Sequence, residues 1–231
     1  MADLFAILGL SFLLGMRHAT DPDHLVAVGT VVARERSARS AVSIGALWGL
    51  GHTVTIVAVG GAIVLFGLVI PPRLGLVLEM AVAALLVVLG ALNLTGAPPA
   101  QHGLHADEHV HRGSLLRHLR SSQVARPIVT GFVHGLAGSA AIALLVLTTI
   151  HDARWAVVYL AVFGIGTVSG MMLLTLGMGV PLARAAAFSG HAGRRLVRLT
   201  GLVSVVFGLV LAYRVGFSDG LLTGIPHFIP R

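Results

Sequence analysis

Cysteine and lysine are both missing from the 231 residues. Without cysteine there is no disulfide, no thiolate metal ligand and no thiol redox chemistry. Without lysine, all 16 basic residues are arginine. Charge of any kind is scarce, at 11% of residues, and aromatics make up 6%. Hydrophobic residues reach 56% and the mean hydropathy is +0.92, which excludes an ordinary soluble domain and indicates several membrane crossings. A pI near 11.5 would suit a nucleic-acid binder. The arginines, however, sit in short loops between apolar segments, so the charge reads as membrane orientation and no nucleic-acid partner is expected. The opening "MADLFAILGL" has no basic stretch ahead of its apolar run and reads as the start of a span, not a cleaved signal peptide.

A helix needs roughly 20 apolar residues to cross the hydrocarbon core. Six segments qualify, at about 4–33, 41–70, 74–96, 127–150, 155–182 and 200–217. The first is too long for one upright helix, since thirty residues rise ~45 Å. It must tilt, kink or divide near Pro22. The expectation is therefore an all-α polytopic membrane protein of about six transmembrane helices, with a long first helix broken near Pro22. Eleven arginines fall after spans one, three and five, and Arg73, Arg154, Arg214 and Arg231 fall on the other side. The positive-inside rule then puts the basic loops in the cytoplasm and both termini outside.

The two halves of the chain resemble each other weakly. "GMRHATDPDHLVAV" (15–28) aligns with "GFVHGLAGSAAIAL" (131–144), and "WGLGHTVT" (48–55) with "FGIGTVSG" (163–170), at offsets of 116 and 115 residues. Three spans per copy is an odd number, so the second copy would be inverted, a common plan for secondary transporters. The expected organisation is a first three-helix repeat at 1–96, a cytoplasmic His-rich basic loop at 97–126, and a second repeat with a short extracytoplasmic tail at 127–231. The copies differ chemically. Asp23, His24 and His52 correspond to Ser139, Ala140 and Thr167, and only the pair His18/His134 is kept. A single site would draw its charge from the first half.

The octet "RHATDPDH" (17–24) puts Arg17, His18, Asp21, Asp23 and His24 into one apolar span. Ionisable groups in a span cost several kcal/mol unless paired or hydrated. On a straight helix His18 and His24 would point ~240° apart. Pro22 offers no N–H to the carbonyl of His18, so the helix is weakest here, and unwinding could turn His18, Asp23 and His24 toward one point while freeing carbonyls as further ligands. Arg17 and Asp21, four residues apart, are expected to pair. Imidazole with carboxylate and no thiolate suits Ni(II), Co(II), Zn(II) or Cu(II). A proton relay and a purely structural salt-bridge cluster are the competing readings.

Other residues have weaker claims. His52 in "WGLGHTVT" and His134 in "GFVHGLAGS" are lone histidines among small residues, read either as ligands or as hydrogen-bonded packing residues. Glu79 lies toward the outer end of the third span, as an interface contact or a coupling group. Asn93 and Thr95 read as interhelical hydrogen-bonding residues. Gly45/Gly49, Gly131/Gly135 and Gly166/Gly170 read as packing faces. The loop 102–120 has five histidines, an Asp and a Glu, and reads as weak metal capture or as a solvated basic loop.

These motifs resemble a known family. "RHATDPDH" has the His-x4-Asp-His pattern of the nickel/cobalt transporter (NiCoT) family, and "LGHT" (50–53) is similar to its second signature. Where that family carries two acids, this chain has Ala137 and Ala141, a feature that looks more like the shorter urease-accessory-type branch of nickel permeases. The resemblance implies secondary transport of Ni²⁺ or Co²⁺, with His18, Asp23, His24 and His52 as ion-binding positions. Together with His134 these form the candidate metal set.

The expected function is uptake of a divalent transition metal, Ni²⁺ or Co²⁺, across a bacterial or archaeal cytoplasmic membrane, with no prosthetic group and no enzyme activity. The partners are the ion and the lipid bilayer, with a homo-oligomer left open. Two alternatives stand beside it: a membrane-embedded metal-dependent hydrolase or acyltransferase, and a metal-binding accessory protein. Ligands must lose protons to hold metal, so transport should weaken as pH falls through the histidine range.

Overall fold

A computed structural model describes residues 2–35, 37–68, 71–95, 124–150, 152–188 and 190–224. The His-rich loop at 102–120, most of the segment 97–126 and the end of the tail lie outside the described residues. The described residues are helical, with no strand among them. In chain order they form α1 (Ala2–His18), α2 (Pro22–Val32), α3 (Ala38–Thr55), a π-helical turn (Ile56–Gly60), α4 (Gly61–Phe66), α5 (Pro72–Leu94), α6 (Ala125–Thr149), α7 (Ala153–Phe188), α8 (Gly190–Tyr213) and a second π-helical turn (Arg214–Ser218). Among the described residues, four stretches are long and apolar enough to cross a membrane: Ala38–Phe66, Pro72–Leu94, Ala153–Ala185 and His191–Ser218. Phe5–His18 is a shorter apolar helix.

The first apolar segment does divide near Pro22. Thr20 N–H donates to the Arg17 carbonyl at 2.8 Å and Asp21 N–H to that of His18 at 3.1 Å, a tight turn that ends α1. Asp21 is extended (φ −60°, ψ 147°), as a residue before proline prefers. Pro22 then opens α2, where its missing N–H costs nothing. Two sequence expectations need correction here. The His18 carbonyl is not freed, because the tight turn gives it the Asp21 N–H. Arg17 and Asp21 do not pair, because α1 stops between them and the Asp21 carboxylate turns to His18 instead.

Glycines set the helix spacing. In a bilayer, association depends on close packing rather than on water exclusion, so small residues mark the contacts. A Cβ at Gly15 (α1) would overlap the Phe163 carbonyl of α7, and one at Gly131 (α6) would overlap the Trp48 carbonyl of α3. Gly166 meets the Phe12 carbonyl and Gly51 meets the Ile128 carbonyl in the same way. These contacts are reciprocal: each α1–α7 approach has an α3–α6 counterpart at the offsets of 115 and 116 residues. At the antiparallel α5–α8 crossing, Gly90 and Gly201 each face the other's carbonyl. Hydroxyls reinforce the contacts, with Ser11 Oγ donating to the Tyr159 carbonyl at 2.8 Å and Thr53 Oγ1 to that of Gly164 at 3.0 Å.

Gly131→Val should force α6 away from Trp48 at about 1–3 kcal/mol of overpacking. A lower unfolding temperature in detergent is the expected readout. Gly9→Ala, where a Cβ meets nothing within 4 Å, should leave that temperature unchanged or raise it.

Candidate metal centre

The turn at Ala19–Asp21 solves the problem that a straight helix poses. His18 is the last residue of α1 and His24 lies in the first turn of α2. With the spiral interrupted between them, their rings meet edge to face, centroids 5.0 Å apart. His52 reaches them from the last turn of α3, just ahead of the π-helical turn, with its ring 5.1 Å from each. One ligand atom from each of His18, His24 and His52 lies within 4.8 Å of the others. His24 and His52 are buried. Phe163 of α7 closes one side, 5.5 Å from His18.

Asp23 and His134 flank this group. His134, buried on α6, has its ring 5.2 Å from His24 and 5.3 Å from Trp48. Asp23 is half-buried between the two histidines, Oδ1 3.7 Å from His24 Nδ1 and Oδ2 4.0 Å from His134 Nε2. The five candidate residues therefore share one region, with three imidazoles at its centre and the carboxylate and fourth imidazole beside them.

Orienting contacts decide which nitrogens face inward. Asp21 Oδ2 lies 2.8 Å from His18 Nδ1, which directs Nε2 at the cluster. The Thr130 carbonyl, 3.0 Å from His134 Nδ1, can only accept, so Nδ1 carries the hydrogen and Nε2 is the nitrogen on the Asp23 side. His18 Nε2 and His52 Nε2 approach to 3.0 Å. Among the described residues, both nitrogens of His24, Nδ1 of His52 and Nε2 of His134 have no partner in good hydrogen-bond geometry. Buried imidazole nitrogens are normally satisfied, so several unmet ones in one region leave lone pairs or N–H groups free for a ligand. The separation of the His18 and His52 nitrogens is an N–H···N hydrogen-bond distance, and it is also the ~3.0 Å between two cis ligands ~2.1 Å from an octahedral ion.

The orienting role of Asp21 was missed in the sequence, where it seemed committed to Arg17; its place three residues after His18 was the available signal. Thr130, four residues before His134, left a similar trace.

A cavity of 360 Å³ leads away from the imidazoles. Its lining runs from His18, Asp23, His24 and His134 to Glu79 near the start of α5 and Arg214 at the end of α8. Glu79 thus joins the candidate site through this cavity, which the sequence alone left open.

Several apolar helices stand around a buried cluster of imidazoles with an adjoining carboxylate, a donor set of the kind that suits a borderline cation in a membrane protein. The family model described as high-affinity nickel-transport protein, NicO, matches residues 4–97, which hold His18, Asp23, His24 and His52. Over 219 residues the chain is 33% identical to the urease accessory protein UreH of Bacillus sp. (strain TB-90), covering 95% of this chain and 96% of that one. No solved structure matches the chain. The chain belongs to the NicO family of nickel-transport proteins. It is a transporter and not an enzyme, and the cargo of its family is nickel.

Nickel binding to the purified protein, read by isothermal titration calorimetry, should be lost in His24→Ala. Asp21→Asn keeps every candidate ligand and should weaken binding by roughly 10–100-fold through disorientation of His18.

Proposed function

We propose that the protein imports Ni²⁺, with Co²⁺ as a second cargo, across the cytoplasmic membrane of a bacterium or archaeon. The observation that carries this reading is the convergence of His18, His24 and His52, one ligand atom each within 4.8 Å of the others. Asp23 and His134 complete the binding set from the cavity side. Neutral imidazoles with one carboxylate favour first-row ions over Mg²⁺ or Ca²⁺, which prefer more oxygens.

The transport plan is two inverted halves, spans one to three and four to six, rocking about this site. The reciprocal glycine contacts support it, since a pseudo-two-fold axis relating α1 to α6 and α3 to α7 produces such pairs. The first unit is residues 1–96 and the second 127–231, with the His-rich loop between them. The arginine-rich loops lie at the cytoplasmic face under the positive-inside rule, with both termini outside. The cavity reaches toward Glu79 and Arg214 at the opposite end. An outward cavity loads the ion from outside, the direction import requires.

Uptake of ⁶³Ni²⁺ into proteoliposomes holding the full chain is the test, with Co²⁺ as competitor. The parent should accumulate the label, and His18→Ala, His52→Ala and Asp23→Asn should each reduce the initial rate at least tenfold. Nickel binding without flux in the parent would favour an accessory metal-binding role instead, and full flux in all three variants would overturn the site.

A further inference from the structure

The cavity opens one end of the protein; a different set of residues closes the other. Beyond the imidazoles, Val28, Val32, Leu86 and Leu89 are buried in one apolar cluster on α2 and α5. Past this dry layer lies a polar junction. Asn93, fully buried near the end of α5, donates through Nδ2 to the Thr30 carbonyl of α2 at 2.7 Å and lies 3.5 Å from Thr200 Oγ1 of α8. Its Oδ1 accepts from Arg34 Nε at 2.6 Å, just after α2. Arg34 Nη2 donates to the Leu92 carbonyl. The Arg34 fork therefore holds the end of α5, while Asn93 ties that end to α2 and brings it beside α8. At the same crossing Gly90 and Gly201 allow carbonyl contact.

The geometry points to Arg34 and Asn93 as the gate of the transport cycle: positioning residues whose bonds keep the arginine-rich face sealed while the cavity face is open. This rests on the transport reading above. Alternating access needs two states separated by a few kcal/mol and a contact set present in only one of them. The Arg34–Asn93 bonds join the segments that must part for an ion at His24 to leave past Val28 and Val32. The Arg34 bonds are charge-assisted and part-buried and the Asn93–Thr30 bond is buried, the kind whose loss shifts an equilibrium by about tenfold.

The absence of cysteine permits a clean test. A single reporter, Ala137→Cys, lines the cavity. In membrane vesicles of either orientation, a membrane-impermeant maleimide reads the face from which the reporter is reached. Arg73→Cys and Arg39→Cys, each exposed, mark the cavity end and the opposite end. In the otherwise unchanged chain, the reporter should label mainly from the Arg73 face. With Arg34→Ala or Asn93→Ala added, labelling from the Arg39 face should rise about tenfold over its level in the otherwise unchanged chain, at the expense of the Arg73 face. Arg34→Lys keeps the charge without the two-pronged fork and should shift about threefold. Ser169→Ala, whose hydroxyl donates to the Ile165 carbonyl of its own helix, should change nothing.

Parent-like sidedness in Arg34→Lys and in whichever alanine variants reach the membrane overturns the proposal. So does faster labelling from both faces together, the mark of a loosened bundle. The assay needs no metal flux. A sidedness switch in a protein that moves no nickel sinks the transport reading and keeps the gate; flux with unchanged sidedness does the reverse.

Discussion

The interruption between His18 and Pro22 is the constraint on which the rest of the structure depends. A continuous helix would satisfy its backbone and scatter its histidines around the cylinder. The short turn closes α1 with bonds to the Arg17 and His18 carbonyls and restarts the helix at Pro22. Two polar side chains that could not have met now do. The turn also releases Asp21 from helical register, so that its carboxylate can hold His18. Backbone geometry and ligand geometry are set by the same three residues.

That turn positions only half of the site. His52 and His134 come from α3 and α6, and they reach the centre because those helices approach to backbone contact. Gly131 meets the Trp48 carbonyl, and Gly135 packs on that of His52. A larger residue at either position would push apart two helices that each supply an imidazole. Glycine spacing is therefore part of how the candidate site is assembled, although no glycine need touch an ion. The hydroxyl bonds of Ser11 and Thr53 to carbonyls on α7 fix α1 and α3 against the same helix.

Much of this was legible in the sequence, and the failures are instructive. Long apolar runs revealed the helical class, and Pro22 revealed the break, because both are local properties of the chain. The Arg17–Asp21 pairing was wrong because it assumed helical spacing across a site already expected to unwind. The helix ended one residue after Arg17, and Asp21 was closer to His18. Asn93 was correctly read as an interhelical hydrogen-bonding residue, but its partners Thr30, Arg34 and Thr200 come from segments far apart in the chain. No pattern within a single span predicts such a junction. The cavity that unites Glu79 with the histidines is likewise a product of packing between α5, α6 and α8.

The lopsided chemistry of the two halves then has a physical sense. The reciprocal glycine contacts relate the scaffolds, whereas the ligands do not follow the same relation. Thr167, equivalent to His52, bonds back to the Phe163 carbonyl of its own helix at 3.0 Å. His134, equivalent to His18, turns its Nδ1 to Thr130 rather than to an acid. Under the proposed rocking of two halves, a site with ligands from both in equal measure would be torn as they move. Drawing its three central imidazoles from α1, α2 and α3 keeps the cluster within one half. The second half then supplies a flanking imidazole and the walls. In the proposed transport cycle, an ion held by one half can remain bound while the other moves past it.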